Sequence, residues 1–222
     1  GGVIHYHTRT PKLGADHMGV RSSSAYRTPN SSWSGHLDVE VSRLRWASLT
    51  SISRSSYGDL RMGQRRKHGD ATWGLDSLYV VRFGDMDSVM TNASPEVQMG
   101  SGYHQTDVLQ KLRIQAGSGL VDLNFQFSTS TNVPRYDVSS DLSNGQLKWA
   151  EWDYGPQKRA MGSVKYSRQL YRWNVQWESQ FSVQRIEESR IKRRFGADWR
   201  ETQTEGVQVF NGYTTFNKRW YS

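Results

Sequence analysis

The chain has 222 residues, a formal net charge of +8 and no cysteine, which excludes disulfides. Hydrophobic residues make up 35% and aromatics 12%, including nine Trp and eleven Tyr; this is lean in aliphatic side chains for a soluble core but sufficient for a wall needing an apolar residue only at every second position. No run of about 18 apolar residues occurs, which excludes a membrane-spanning helix but not a barrel of membrane-spanning strands.

Residues 2–10 read as a short strand, and Pro11 to Met18 as a connector. A weak strand is predicted at about 19–28, with Val20 and Tyr26 on one face, ending in the turn signal Thr28-Pro29-Asn30-Ser31. Over 33–43, Leu37, Val39 and Val41 alternate with His36, Asp38, Glu40 and Ser42, the period of a strand with one apolar and one polar face. Arg43-Leu44-Arg45 predicts a tight turn into a strand at 46–57. Leu49 and Ile52 lie three apart there and leave its facing open. From Gly58 to about Gly102 no period holds, and a long loop is expected.

The stretch Leu109 to Ser130 is the one the chain is organised around. Val108, Leu112, Ile114 and Ala116 share one face, then Val121, Leu123, Phe125 and Phe127 share one, with Gly117-Ser118-Gly119 between the two runs. Two alternating runs joined by a short Gly-containing link predict a hairpin. Each run reaches the roughly 9–11 residues a tilted strand needs to cross a bilayer. A second long connection is predicted over 132–158, then a strand at 159–170 and a tight turn at Tyr171-Arg172. In the strand at 173–185, Trp173, Val175, Trp177, Phe181 and Val183 oppose Asn174, Gln176, Glu178, Gln180, Ser182 and Gln184. A third long loop is expected over 186–203, a strand over 205–216, a turn at Asn217-Lys218 and the start of a further strand at Arg219-Trp220-Tyr221.

Tight turns at 43–45, 117–119, 171–172 and 217–218 thus alternate with long loops at 58–102, 132–158 and 186–203. Short turns at one end and long loops at the other are the arrangement of outer-membrane barrels. Trp46, Trp173 and Trp220 by the turns, and Trp33, Tyr57 and Tyr103 by the loops, fit two interfacial girdles. The fold class expected is therefore all-β, an antiparallel transmembrane β-barrel of which about eight strands are present. Phe125 and Val175 are assigned to the lipid face, Gln126 to the lumen.

Basic residues bunch at Arg61, Arg65, Arg66 and Lys67, and at Arg190, Lys192, Arg193 and Arg194. No recognition-helix or RNA-binding motif accompanies them, so no nucleic-acid partner is expected; solvated loops, or loops attracting an anionic ligand or lipid headgroup, account for them. His5, His7 and His17 fall short of the converging ligands a metal needs, and no metal or cofactor is expected. His36, Asp38 and Glu40 share a face without a Ser nucleophile motif, and no catalytic residues or enzyme activity are expected. The residues suited to ligand contact are Arg65, Arg66, Lys67, His68, Trp73, Arg135, Tyr136, Trp152 and Tyr154: Arg offers a fork to carboxylate or phosphate, and aromatics offer stacking faces.

Several stretches carry a resemblance. Gly1-Gly2-Val3-Ile4-His5 resembles the end of the plug domain of TonB-dependent outer-membrane receptors. Tyr57-Gly58-Asp59-Leu60-Arg61-Met62-Gly63 with Arg66-Lys67-His68-Gly69, Gly102-Tyr103-His104-Gln105-Thr106-Asp107, Val133-Pro134-Arg135-Tyr136-Asp137, Tyr154-Gly155-Pro156-Gln157-Lys158-Arg159, and Gln184-Arg185-Ile186-Glu187-Glu188-Ser189-Arg190 are similar to receptors of the Bacteroidetes type. The resemblance implies that residues 1–10 end a plug and 11–222 begin a barrel of 22 strands around a plugged lumen. The globular plug, the segment that engages TonB and the later strands are not in the sequence, so the chain reads as the first third of such a barrel. It further implies location in the cell outer membrane, contact with outer-membrane lipid, TonB as partner through the plug and amino-terminal segment, and uptake of a scarce small-molecule or oligomeric ligand such as a ferric siderophore or a cobalamin. Two alternatives remain: a small closed eight-stranded outer-membrane barrel with a structural or adhesive role, and a soluble carbohydrate-binding β-sandwich.

Overall fold

A computed structural model describes residues 2, 7–14, 16–63, 69–218 and 220. The strands in chain order are β1 His17–Arg27, β2 Ser32–Ser42, β3 Trp46–Tyr57, β4 Leu60–Arg61, β5 Leu78–Phe83, β6 Met86–Thr91, β7 Val97–Gln98 and β8 Tyr103–Ala116. There follow β9 Gly119–Ser130, β10 Val133–Pro134, β11 Leu142–Ser143, β12 Gln146–Leu147, β13 Trp149–Tyr154, β14 Lys158–Leu170, β15 Val175–Arg194 and β16 Glu201–Lys218. With 67% of the described residues in strand and 4% in helix the protein is all-β, and every pairing among them is antiparallel.

Ten strands form one sheet in the order β1-β2-β3-β8-β9-β14-β15-β16. β13 runs on from β14 along the same edge of β15, and β10 runs on from β9. Among the described residues β1 and β16 are free edges and no pairing closes the sheet. β4 with β7, β5 with β6 and β11 with β12 make small two-stranded sheets within the long connections.

Cross-strand partners share a face, so the register sorts the side chains. One face carries Val20, Leu37, Ile52, Val108, Leu123, Val164, Phe181 and Phe210 across successive strands. Phe125, Phe181 and Phe210 are 47%, 52% and 65% exposed there, whereas the buried hydrophobic side chains among the described residues are only Ala47, Leu49, Leu147 and Ile191. The apolar mass of the chain thus lies on one open sheet face rather than in a core. Polar groups within this face satisfy one another, as groups set among apolar neighbours require. Thr50 Oγ1 donates to Gln110 Oε1 at 2.6 Å and Gln110 Nε2 to Ser48 Oγ at 2.8 Å. Trp177 Nε1 donates to Ser179 Oγ at 2.8 Å, and that hydroxyl meets Thr214 Oγ1 at 2.8 Å.

The opposite face is polar and cross-linked. Arg113 grips Asp122 with two bonds of 2.6 and 2.9 Å. Lys165 pairs with Glu178 at 3.3 Å, and Tyr213 Oη donates to Glu178 at 2.8 Å. Residues 8–14 lie across this face: Lys111 Nζ donates to the Thr8 carbonyl at 3.0 Å, Arg9 reaches Asp38 and Glu40 at 2.8 Å each, and Gly14 N donates to Arg43 O at 3.2 Å. Leu49 points to this side, where it and Pro11 are fully buried, while Ile52 stands 46% exposed on the apolar face. The ambiguity at 46–57 is resolved this way: Leu49 departs from the polar pattern because the incoming segment covers that face.

Several expected boundaries shift. Residues 7–10 are not strand, and 3–6 lie outside the described residues. The stretch 58–102 contains the hairpin of β5 and β6, turning at Gly84 with φ +58°. β15 continues to Arg194 and β16 starts at Glu201, so the third long loop shrinks to 195–200. Past Gln184 the alternation turns polar on both faces, yet backbone bonds to β13 and β16 hold the strand. Asn217 and Lys218 are strand rather than turn, because the register that sets Phe216 opposite Trp177 brings Lys218 opposite Val175. Trp173 belongs to a 3-10 turn, Tyr171–Trp173, ahead of β15.

The aromatic residues at the two ends of the sheet fall on different faces. Tyr26 pairs with Trp33 on the apolar face near the long-connection end. Near the tight turns, Trp177 packs edge-on to Tyr166 at 5.2 Å and stacks with Phe216 at 6.2 Å. Tyr57 and Tyr103 instead stack on each other at 4.6 Å, and the register turns them to the polar side.

Candidate functional site

β15 has 20 residues and β16 has 18, well beyond the roughly 9–11 that span a bilayer. Their extra length lies at the end of the long connections, with β13 and β10 laid against it. Arg190, Lys192 and Arg194 alternate with Ile191 and Arg193, so β15 presents two different faces here.

On one face Ile191 and Arg193 are buried. Arg193 Nη1 donates to Asp87 Oδ2 at 2.6 Å, and the Asp87 side chain is fully covered. The Gly196 amide at 2.9 Å and Arg82 at 3.4 Å complete its partners. The hydrogen bond from Arg193 holds the Asp87 carboxyl below the usual carboxylate range, despite the opposing effect of burial. The β5–β6 hairpin is thereby docked on the end of β15. Beside it Arg200 pairs with Glu151 at 2.7 Å.

The other face is an aromatic and cationic ladder. Register pairs Trp149 with Arg194, Trp152 with Lys192 and Tyr154 with Arg190. Trp149 and Trp152 are three apart, a spacing that puts them on opposite faces of a regular strand. A register shift between Trp149 and Glu151 adds one residue and returns both indoles to the same face. Arg135 lies over the Trp152 ring at 4.1 Å and Lys192 at 5.1 Å. Lys148 and Arg194 lie 5.1 and 5.8 Å from the Trp149 ring. Tyr154 packs edge-on to Trp152 at 5.1 Å.

Of the residues expected to contact ligand, Arg135, Tyr136 and Trp152 line one cleft of about 220 Å³ here, and Tyr154 joins them through its contact with Trp152. Arg135 is also gripped by Asp137, with Nε–Oδ1 and Nη2–Oδ2 both 2.9 Å. That pairing raises the arginine further and lowers Asp137. Its fork is therefore occupied within the loop. Trp73 stands outside this group, in the turn at 71–74 and 58% exposed. Arg65, Arg66, Lys67 and His68 lie outside the described residues. Trp149 and Lys148 join the group without having been marked by the sequence, because the bulge that brings them in leaves no trace there beyond the odd Trp149–Trp152 spacing.

A larger cavity of about 620 Å³ opens on the polar face, lined by Thr8, His36, Ser53, Asp107, Gln126 and Arg159 among others. His36 sits between Ser53 Oγ at 2.7 Å and Asp38 Oδ1 at 3.0 Å, and Asp38 also takes Arg9 and the Ser51 hydroxyl. These groups are bound to one another across β2 and β3 and form a wall.

No family model matches the chain, and no curated protein matches it.

Proposed function

We propose that the chain is the first part of the β-barrel of a TonB-dependent receptor of the cell outer membrane, with residues 1–10 ending its plug and 11–222 beginning its barrel. One observation carries the reading: a single sheet whose open face is apolar and internally hydrogen-bonded, backed by a polar, ion-paired face. Water is a poor solvent for the first face and hydrocarbon for the second, so a wall between lipid and an aqueous lumen suits both. Residues 8–14, tied by Arg9 to Asp38 and Glu40, then run along the lumen wall as a chain leaving a plug would. In this role the protein binds a scarce ligand at its outer end and yields it to the periplasm when TonB moves the plug. A soluble sandwich needs a second sheet over the apolar face, and among the described residues the small sheets all belong to the long connections.

The absence of cysteine makes the test direct. Single replacements Leu123→Cys, Phe125→Cys and Phe181→Cys, and on the other face Asn124→Cys and Gln126→Cys, are spin-labelled after refolding into phospholipid vesicles. Labels on the first three should collide with oxygen dissolved in lipid and escape a water-soluble nickel chelate; the other two should do the reverse. Equal exposure of both sets to the chelate would sink the membrane reading.

A further inference from the structure

We infer that the ladder on β13 and β15 is a binding site for a multivalent oxyanion, a ligand bearing two or more carboxylate or phosphate groups. The inference rests on the receptor reading only for its location, at the end where ligand would arrive; the chemistry stands on the ladder itself.

The two faces of this end treat their cations differently. On one, Arg193 and Arg200 are neutralised by Asp87 and Glu151 at 2.6 and 2.7 Å. On the other, Lys148, Lys192 and Arg194 make no ion pair among the described residues and are held by indole faces instead. Glu201 is the register neighbour of Lys192 on β16, yet it does not come within ion-pair distance of it. An indole restrains a cation without cancelling its charge. A carboxylate in the same place would satisfy the cation and close it to a ligand. The ladder therefore holds positive charge in fixed positions, which lowers the ordering cost of binding an anion.

Spacing argues for more than one anionic group. Side chains on one face of a strand recur about every 6.7 Å, so Lys192 and Arg194 offer donors at that interval, with Lys148 beside Arg194 at the Trp149 ring. One phosphate meets one rung; a ligand with several oxyanions meets two or three. The indoles are already covered by cations, which leaves charge rather than open stacking area as the recognition element. Arg190 has Glu205 at 4.0 Å and Arg135 has Asp137 at 2.9 Å, so these two contribute less.

The test is calorimetric titration of the full chain in detergent with benzenehexacarboxylate and with inositol hexakisphosphate, against inorganic phosphate and a neutral maltooligosaccharide. At least one polyanion should bind, more tightly than inorganic phosphate, and the neutral sugar should not. The tighter polyanion identifies carboxylate or phosphate as the natural group. The variants Lys192→Ala and Arg194→Ala should each weaken binding by about tenfold or more, Lys192→Arg should retain it, and Arg185→Ala, on the other face beside Glu187, should leave it unchanged. No binding of either polyanion, equal affinity for inorganic phosphate, or equal loss in the Arg185 variant would overturn the site. Spin labels that still report lipid contact while the polyanions fail to bind would overturn the ladder and spare the receptor reading; the converse would do the opposite.

Discussion

Phe125→Arg should reduce the free energy of insertion into a bilayer by about 2–4 kcal/mol, and Gln126→Arg by much less. Phe125 lies midway along β9, opposite Gln110 and Gly162, and 47% of it is exposed on the apolar face. Its neighbours there include Leu123 and, one strand further, Val183, opposite Gly162. No charged side chain is paired with it in register, so on the proposed reading a guanidinium at this position faces hydrocarbon unaided. Gln126 is the next residue and faces the cavity on the polar side, where Leu109 and Met161 are its register partners and water reaches it. Val175→Arg, on the same apolar face, should be milder than Phe125→Arg. Val175 opens β15 beside the turn and pairs with Leu170 and Lys218, at the end of the sheet, which on the proposed reading is the edge of the bilayer, where an arginine side chain reaches water. The measurement is urea-dependent folding into lipid vesicles followed by tryptophan emission. Similar losses for Phe125→Arg and Gln126→Arg would refute the facing.

What could be read from sequence is what the two-residue period controls. β8, β9 and the first part of β15 each meet apolar surroundings on one side and polar on the other, so Leu123, Phe125, Trp177 and Phe181 show their facing without a structure. The signal fails where the two sides are alike. Ile186 to Arg194 has polar or protein surroundings on both faces, and its strand is held by backbone pairing to β13 and β16, which leaves no hydrophobic trace. It fails again where a local segment changes the environment of one position, as residues 8–14 do for Leu49. The hairpin of β5 and β6 overturns the expected loop: Tyr79-Val80-Val81 and Gly84-Asp85 suit strand and turn, but the six-residue strands are too short to set a period. Its docking was not, because it depends on Asp87 meeting Arg193 from more than a hundred residues away. For the candidate site, composition pointed to Arg135, Trp152 and Tyr154, but only the bulge at Ala150 explains why Trp149 joins them.

Asp87→Ala should release the β5–β6 hairpin from β15, at a cost of about 3–5 kcal/mol in docking free energy. The carboxylate is fully covered, and its partner Arg193 is 9% exposed. Removing it strands a guanidinium among covered groups with only the Ala197 carbonyl, 3.2 Å away, as a remaining acceptor. The Gly196 amide loses its acceptor as well. Exchange of backbone amides in β6 should quicken by two orders of magnitude or more, and a protease should cut near Gly84-Asp85 in the variant first. The double replacement Asp87→Leu with Arg193→Met should recover much of the loss, since it leaves no charge unpaired. The pH dependence has a fixed sign. Because Asp87 is held below the ordinary carboxylate range, its contribution is fully present above the unfolded value of about 3.9, declines below it and is lost once pH has fallen through the lower folded value. The hairpin should therefore stay docked at pH 5 and loosen below about pH 4. Unchanged exchange in Asp87→Ala, or undocking already at pH 6, would show that the hairpin is held by something other than this ion pair.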